Sequence, residues 1–318
     1  MVQNIAETVG GVKKESGHLL NGMVLKNGKI LVHALQWYIT HTCNLTCSNC
    51  SNFNNFAITG HDKIVENEVA AWGQKLHVND FCIIGGEPFT NRDLHQWAIG
   101  LREHFPCRDF RIVTNGTLLK RFAKQIPEWI DKKITIEVSL HSKKHFQKAL
   151  NDIHEILNGN YERYIVTKRN HIKGIPMHVG CGYDEAILVD GFPAFIVVYK
   201  TKFYKWGVKE KKDDVWRFYD SDQELAHETC FHKHTPYIYK GKMYKCGTIV
   251  GAQGFAQKYP LTQEDKDLIT SYKPIDAMSN NLVEKIQSLN DSIPQCVICP
   301  VNNNIEEDII LDSKKILP

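Results

Sequence analysis

Cys43-Asn44-Leu45-Thr46-Cys47-Ser48-Asn49-Cys50 is the stretch that decides the fold, a C-x3-C-x2-C triplet running on from the strand-like Leu35-Gln36-Trp37-Tyr38-Ile39-Thr40. Three thiolates this close in sequence cannot pair neatly into disulfides. They can converge on one face of a cubane iron–sulfur cluster, for which Cys thiolate is the usual ligand. Three ligands for four irons leave one iron open to a small molecule, which points to a reactive cluster and not merely an electron store. Zinc would want a fourth nearby ligand in closed tetrahedral geometry, and His41 is close enough to be considered. Three unrelated core thiols are the other reading of this segment alone.

The chain of 318 residues is long enough for one large domain plus a smaller one. Hydrophobic residues at 42% and charged residues at 24% suit a soluble globular protein. The net charge of +3, with signs mixed along the chain, gives no argument for a nucleic-acid surface. The N-terminal stretch lacks a charged-then-apolar leader pattern, and no apolar run is long enough to span a bilayer. The expectation is a cytoplasmic protein with neither nucleic-acid nor membrane partners. In that reducing compartment, ten cysteines point to metal or catalysis, not to a disulfide frame.

Outward from the triplet, strand and helix patterns alternate. Val24 to Val32 reads as a hairpin with an Asn27-Gly28 turn, within an N-terminal cap over 1–34. Lys63 to Leu76 has helical spacing, and Asp80 to Ile84 is a short apolar run ending in Gly85-Gly86-Glu87-Pro88. Asn91 to Phe105 reads as a helix, and Phe110 to Val113 as a strand ending in Thr114-Asn115-Gly116. Leu118 to Ile126 is expected to be helical with Pro127 just beyond it, Ile134 to His141 a strand, and Lys143 to Leu157 a helix. Later strands are expected at Ile175 to Val179 and Ala194 to Tyr199, and Lys209 to Asp214 as a solvated charged loop. Such alternation implies βαβ units, a parallel sheet, and chemistry at the C-terminal strand ends, where the unusual loops gather. The expected domain spans 35–222.

The Cys43/Cys47/Cys50 triplet, Gly85-Gly86-Glu87-Pro88 after the second strand, Thr114-Asn115-Gly116 after the third and Ser139 at the end of the fourth together resemble the radical S-adenosylmethionine (SAM) superfamily. The resemblance implies an α/β fold, a partial (β/α)6 barrel holding a [4Fe–4S] cluster whose open iron is chelated by SAM. The reduced cluster of that family cleaves SAM to methionine and a 5′-deoxyadenosyl radical, which takes a hydrogen atom from substrate. Gly85 and Gly86 would let the backbone approach a ligand. Glu87 and nearby carbonyls would accept from the SAM ammonium, with Pro88 closing the turn. Thr114, Asn115 and Ser139 complete the implied SAM site, Asn115 and Ser139 bonding the ribose hydroxyls or carboxylate. The family usually has an aromatic residue before the third cysteine; here it is Asn49, so the adenine contact is expected from Asn49, Phe53 or Phe56.

Cys230, Cys246, Cys296 and Cys299 form a second set, with Tyr237 to Lys245 reading as a hairpin that turns at Lys240-Gly241. Four thiolates close either a full cluster or a zinc site. The layout resembles the twitch domain, a shortened SPASM extension, most closely of the 2-deoxy-scyllo-inosamine dehydrogenase type. That implies a small α+β domain over 223–318 holding an auxiliary [4Fe–4S] cluster that accepts an electron from a substrate radical.

Among the remaining residues, Cys82 and Cys107 read as buried thiols. Cys181 is a candidate hydrogen-atom donor, with a core thiol as the plain alternative. His141 is a candidate base for the substrate proton, with a structural role as its alternative. Tyr183, Asp184 and Glu185 are candidates for binding substrate hydroxyls. The resulting expectation is an oxidoreductase acting on a hydroxylated small molecule, a sugar or aminocyclitol. A flavodoxin- or ferredoxin-type electron donor is implied by the family. The alternatives are an epimerase using Cys181 and a peptide- or protein-modifying enzyme.

Overall fold

The computed structural model describes residues 20–47, 50–140, 143–167, 183–199, 202–203, 208–230, 232–301 and 306–307. Strand β1 (Met23–Val24) turns back through Gly28, at φ +78°, into β2 (Ile30–Tyr38). There follow α1 (Glu66–Lys75), β3 (Leu76–Ile84), α2 (Leu94–His104), β4 (Asp109–Thr114), α3 (Ile126–Asp131), β5 (Thr135–Leu140) and α4 (Lys143–Asn158). Next come β6 (Ile165–Thr167), β7 (Tyr183–Val189), β8 (Phe192–Tyr199), β9 (Lys202–Phe203), β10 (Glu210–Lys212), β11 (Val215–Arg217) and α5 (Gln223–Glu228). The C-terminal part holds β12 (Tyr237–Tyr239), β13 (Lys242–Tyr244), α6 (Gly247–Lys258), α7 (Gln263–Ser271), β14 (Ile275–Asp276), α8 (Leu282–Ser288) and β15 (Glu306–Glu307).

One sheet dominates, in the order β14-β13-β12-β2-β3-β4-β5-β8-β7-β6. From β12 to β8 every neighbouring pair is parallel. The mixed α/β expectation, with a parallel-dominated partial barrel, therefore holds. The sixth parallel position is taken by β12, from the far end of the sequence, where Tyr237 lies opposite Gln36.

Strand alternation divides the sheet into two faces. Trp37, Phe81, Phe110, Ile136 and Phe195 point outward, where they join helix residues such as Trp72, Trp97 and Trp129 in one buried apolar cluster. On the inner face the register sets Gln36 beside Cys82, Cys82 beside Arg111 and Arg111 beside Thr135. This interior is polar. Arg111, 4% exposed, donates both 2.7 Å bonds of one nitrogen to the Asp80 carboxylate and another of 2.7 Å to Glu137.

Three expectations change. Pro127 does not close a helix over 118–126. It begins α3, because a proline without an N–H is tolerated in a first helical turn, and residues Leu119–Phe122 form only a 3-10 turn. The charged run Lys209 to Asp214 is the exposed hairpin β10–β11, turned by left-handed Asp213 and Asp214. At one sheet edge β7 runs antiparallel to β8 through a turn at left-handed Asp190 and Gly191, an Asp-Gly hairpin signal that the reading of continuous βαβ units overlooked. Tyr183 to Glu185 accordingly lie in β7. The expected strand at Ile175 to Val179 is outside the described residues.

Between β2 and α1, Asp62 anchors the chain crossing. Its N–H donates to Ile39 at 3.0 Å, and its carbonyl accepts from Asn91 Nδ2 at 3.0 Å and Trp97 Nε1 at 3.1 Å. Its carboxyl oxygen Oδ2 is covered and has no partner. Burial pushes this carboxyl up to about 6, with Lys240 opposing and Glu68 adding. A carboxyl raised above its unfolded value of 3.8 contributes stability that is complete below that value and is lost as pH rises through about 6. Asp62→Asn is therefore expected to stabilise the apo-protein at pH 7.5 by about 1 kcal/mol, after discounting for its partial exposure. At pH 4 the same denaturant titration should show no gain.

Candidate active site

The loops at the C-terminal ends of β2, β3 and β4 are laced together. Gly86 N–H donates to Thr40 at 2.7 Å and Glu87 N–H to Thr42 at 2.8 Å. A Cβ on Gly85 would lie 2.5 Å from the Thr40 carbonyl oxygen, and one on Gly86 2.5 Å from that of Thr42. The pair of glycines thus serves a close approach, as expected. What approaches is the protein's own strand leading into the cysteine loop. Gly86→Ala is expected to cost about 2 kcal/mol, as overpacking against backbone does. Chemical denaturation would register it, alongside weaker retention of iron by the cysteine triplet.

Glu87 is 1% exposed and spans this junction. One carboxylate oxygen accepts from Phe89 N–H at 3.0 Å and Thr114 Oγ1 at 2.7 Å, and the other from Asn115 N–H at 2.7 Å. Burial lifts its ionisation to about 7 against the pull of those donors. The expected role, accepting from a ligand ammonium, belongs to a carboxylate that is instead engaged with three donors from its own chain. It pins the end of β3 to the end of β4. Pro88 opens the 3-10 turn that follows and is buried.

Asn115 extends the lacing to the cysteines. Its Nδ2 donates to Asn44 Oδ1 at 2.9 Å, and its Oδ1 accepts from Thr117 N–H at 3.0 Å and Thr117 Oγ1 at 2.6 Å. Asn44 Nδ2 closes the ring on Thr117 Oγ1 at 2.7 Å. Asn44 and Thr117 had no signal in the sequence beyond being polar neighbours of a motif.

Cys43, Cys47 and Cys50 are partly exposed free thiols on this laced loop. Burial, with Glu87 second, pushes the Cys43 thiol far up, and Cys50 and Cys47 act on it in the same direction. Among the described residues, no three Cys, His, Asp or Glu side chains are grouped to hold a metal ion. His41 turns away from any fourth-ligand role: its Nδ1 meets Tyr38 Oη at 3.1 Å and its ring packs on Tyr239.

Ser139 lies on the inner face of β5, 3% exposed, and its Oγ has no partner. A buried hydroxyl left unpaired costs about 1–3 kcal/mol, so it marks a place for a polar ligand. With the open-ended thiol triplet, it fits a cluster-plus-SAM site. Phe53 is fully buried against Phe218 and Phe255, so its ring is not free to cover an adenine, while Phe56, partly buried, packs on Trp216 and Phe255. Asn49, His141 and Cys181 lie outside the described residues.

The second thiol set, Cys230, Cys246, Cys296 and Cys299, lies about one cavity, together with Lys245 and Thr248. Cys246 is the N-cap of α6, and Cys296 and Cys299 bracket the end of a 3-10 turn over Pro294–Ile298. Helix α6 then runs from this cavity to the first cysteine loop. Gly251 passes against Phe53, Lys258 Nζ donates to Ala57 at 2.6 Å, and Tyr259 Oη donates to Phe56 at 2.7 Å. A helix joining the two thiol sets was not legible in the sequence.

Comparison with known proteins bears on the first set. Residues 37–176 match the Radical SAM superfamily model. A probable GTP 3′,8-cyclase of Saccharolobus islandicus (strain Y.N.15.51 / Yellowstone #2) is 32% identical over 178 residues, which cover 49% of this chain and 56% of that protein. The GTP 3′,8-cyclase of Campylobacter curvus (strain 525.92) is 25% identical over 143 residues, 43% of this chain and 44% of that one. The chain thus spans about half the length of the curated relatives it matches. Among solved structures, BtrN in complex with AdoMet and 2-DOIA aligns over 90% of this chain and 98% of that one, with TM-score 0.43 at 12% identity. Native anSMEcpe with bound AdoMet and Cp18Cys peptide aligns over 41% of this chain and 40% of that one, with TM-score 0.31 at 20% identity.

Proposed function

We propose that this chain, which carries a radical SAM domain over residues 37–176, is an oxidoreductase acting on a hydroxylated small molecule, with an auxiliary cluster in its C-terminal thiol set as electron acceptor. Cys43, Cys47 and Cys50 would hold the first cluster, and Cys230, Cys246, Cys296 and Cys299 the second. When bound, the first cluster and SAM supply a 5′-deoxyadenosyl radical that removes a hydrogen atom from substrate. The protein's own part is to fix the triplet loop through Gly86, Glu87 and Asn115 and to offer the Ser139 hydroxyl to a ligand.

The observation that carries this reading is the ring of four sulfurs about one cavity. A single zinc ion, with sulfurs about 2.3 Å away, would draw them together around one point. A cubane would instead space its four thiolates apart around itself, and the iron and zinc content decides between the two. The polar barrel interior around Arg111 supports a hydroxylated substrate over an apolar one.

Anaerobic purification should return about eight irons per chain, at four per cubane, and no zinc. With reductant, SAM and a panel of polyols and aminocyclitols, one member should stimulate 5′-deoxyadenosine and a carbonyl product in equal amounts. About four irons with one zinc would overturn the auxiliary-cluster reading. The 32% identity to a probable GTP 3′,8-cyclase favours a second reading, in which GTP is the substrate; stimulation of 5′-deoxyadenosine by GTP and by no polyol would establish it.

A further inference from the structure

Lys245 carries a charge that the function just proposed leaves unused. It is 3% exposed and lines the same cavity as the four cysteines, one residue before Cys246. Its Nζ donates to the Leu289 carbonyl and to that of Lys233 at 3.3 Å, and lies 3.4 Å from His227 Nε2. Two carbonyl oxygens and an imidazole hold the ammonium in place. None of these partners is a carboxylate, and among the described residues Lys245 forms no ion pair with Asp or Glu. Thiolates of the four cysteines would share its cavity. Cys246 adds to the same polarity as the N-cap of the twelve-residue helix α6, with backbone N–H groups of Ile249 and Thr248 acting on its sulfur.

We infer that Lys245 is a positioning residue of the electrostatic kind: its buried ammonium raises the reduction potential of the group held by Cys230, Cys246, Cys296 and Cys299, making that group an electron acceptor. The inference rests on the auxiliary-cluster reading. Net charge and hydrogen bonding around the sulfurs are among the main controls on iron–sulfur potentials. A four-thiolate cluster gains one negative charge on reduction, and an adjacent buried cation lowers the free energy of that state. Water screens such a charge weakly at so covered a position.

The test is a potentiometric titration followed by electron paramagnetic resonance on the full-length, iron-loaded protein, comparing Lys245→Met and Lys245→Arg with the parent. Iron is counted first. If the parent holds four irons and a zinc, the auxiliary-cluster reading fails, and this inference with it. If it holds eight, Lys245→Met should lower the ratio of reduced to oxidised auxiliary cluster at a fixed potential at least tenfold, which is 59 mV for a one-electron couple. Lys245→Arg should stay near the parent, and the cluster on Cys43, Cys47 and Cys50 should keep its potential in all three proteins. An eight-iron Lys245→Met protein with an unshifted auxiliary potential would overturn the inference while leaving the proposed function standing. Loss of the C-terminal four irons from both variants would also overturn it, because Lys245 would then be a packing element and not a source of charge.

Discussion

Cys50→Ala is expected to leave a folded protein that produces no 5′-deoxyadenosine, with a rate below about a thousandth of the parent and hence a loss of more than about 4 kcal/mol in the barrier. Cys43→Ala and Cys47→Ala should do the same. In the proposed site each thiolate is one of three protein ligands, and among the described residues His41, the nearest candidate to replace one, is engaged by Tyr38 and Tyr239. The loop itself is held by Asn44, Asn115 and the Gly86 and Glu87 backbone bonds, none of which involves Cys50. Circular dichroism should therefore match the parent while the iron count drops by about four. A Cys50→Ala protein that kept full iron and still cleaved SAM would remove the basis for the assignment.

The largest stability effect is expected at Arg111. Its guanidinium lies between Asp80 and Glu137 on the inner face of the sheet, all three nearly covered. Taking away one partner of a buried charge set leaves the others uncompensated, at a cost of about 3–5 kcal/mol. Arg111→Met should approach that figure in a denaturant titration, enough to unfold a marginal domain. Neutralising the whole set, as Asp80→Asn, Arg111→Met and Glu137→Gln together, should recover most of the loss, since an apolar or neutral replacement of a complete buried set is often tolerated. A triple variant no more stable than Arg111→Met would mean that packing, not charge, dominates this site.

Period and turn chemistry made much of this molecule legible. The outward face of β5 is an apolar alternation, Ile136, Val138 and Leu140, and that of β4 carries Phe110 and Ile112, so their place in a covered parallel sheet could be read directly. The Asn-Gly and Lys-Gly hairpins follow from residues that accept positive φ. What escaped the reading has specific causes. Pro127 is compatible with the end of one helix or the start of the next, and only tertiary context chose. The glycines of Gly85-Gly86 announced a close approach without saying to what. Glu87 was expected to meet a ligand ammonium, a partner that suits a carboxylate; the positions of Thr114 and the Asn115 amide depend on tertiary structure. Lys245 was invisible because lysines are ordinarily solvated, and its burial depends on Leu289 and Lys233 arriving from distant segments. The loops after β2, β3 and β4 lie at one end of the sheet, while the duty of each residue there depends on partners far away in sequence.

Helix α6 and strand β12 bear on how far the two halves could ever be treated as separable cassettes. A chain ending near residue 222 would lose β12, the parallel neighbour of β2 on one side, and leave Phe53 and Phe56 without the Phe255 ring they share. The loop carrying Cys43, Cys47 and Cys50 would then be the first part to loosen, so swapping this C-terminal segment for a foreign one would disturb that loop even though no residue in it had been changed.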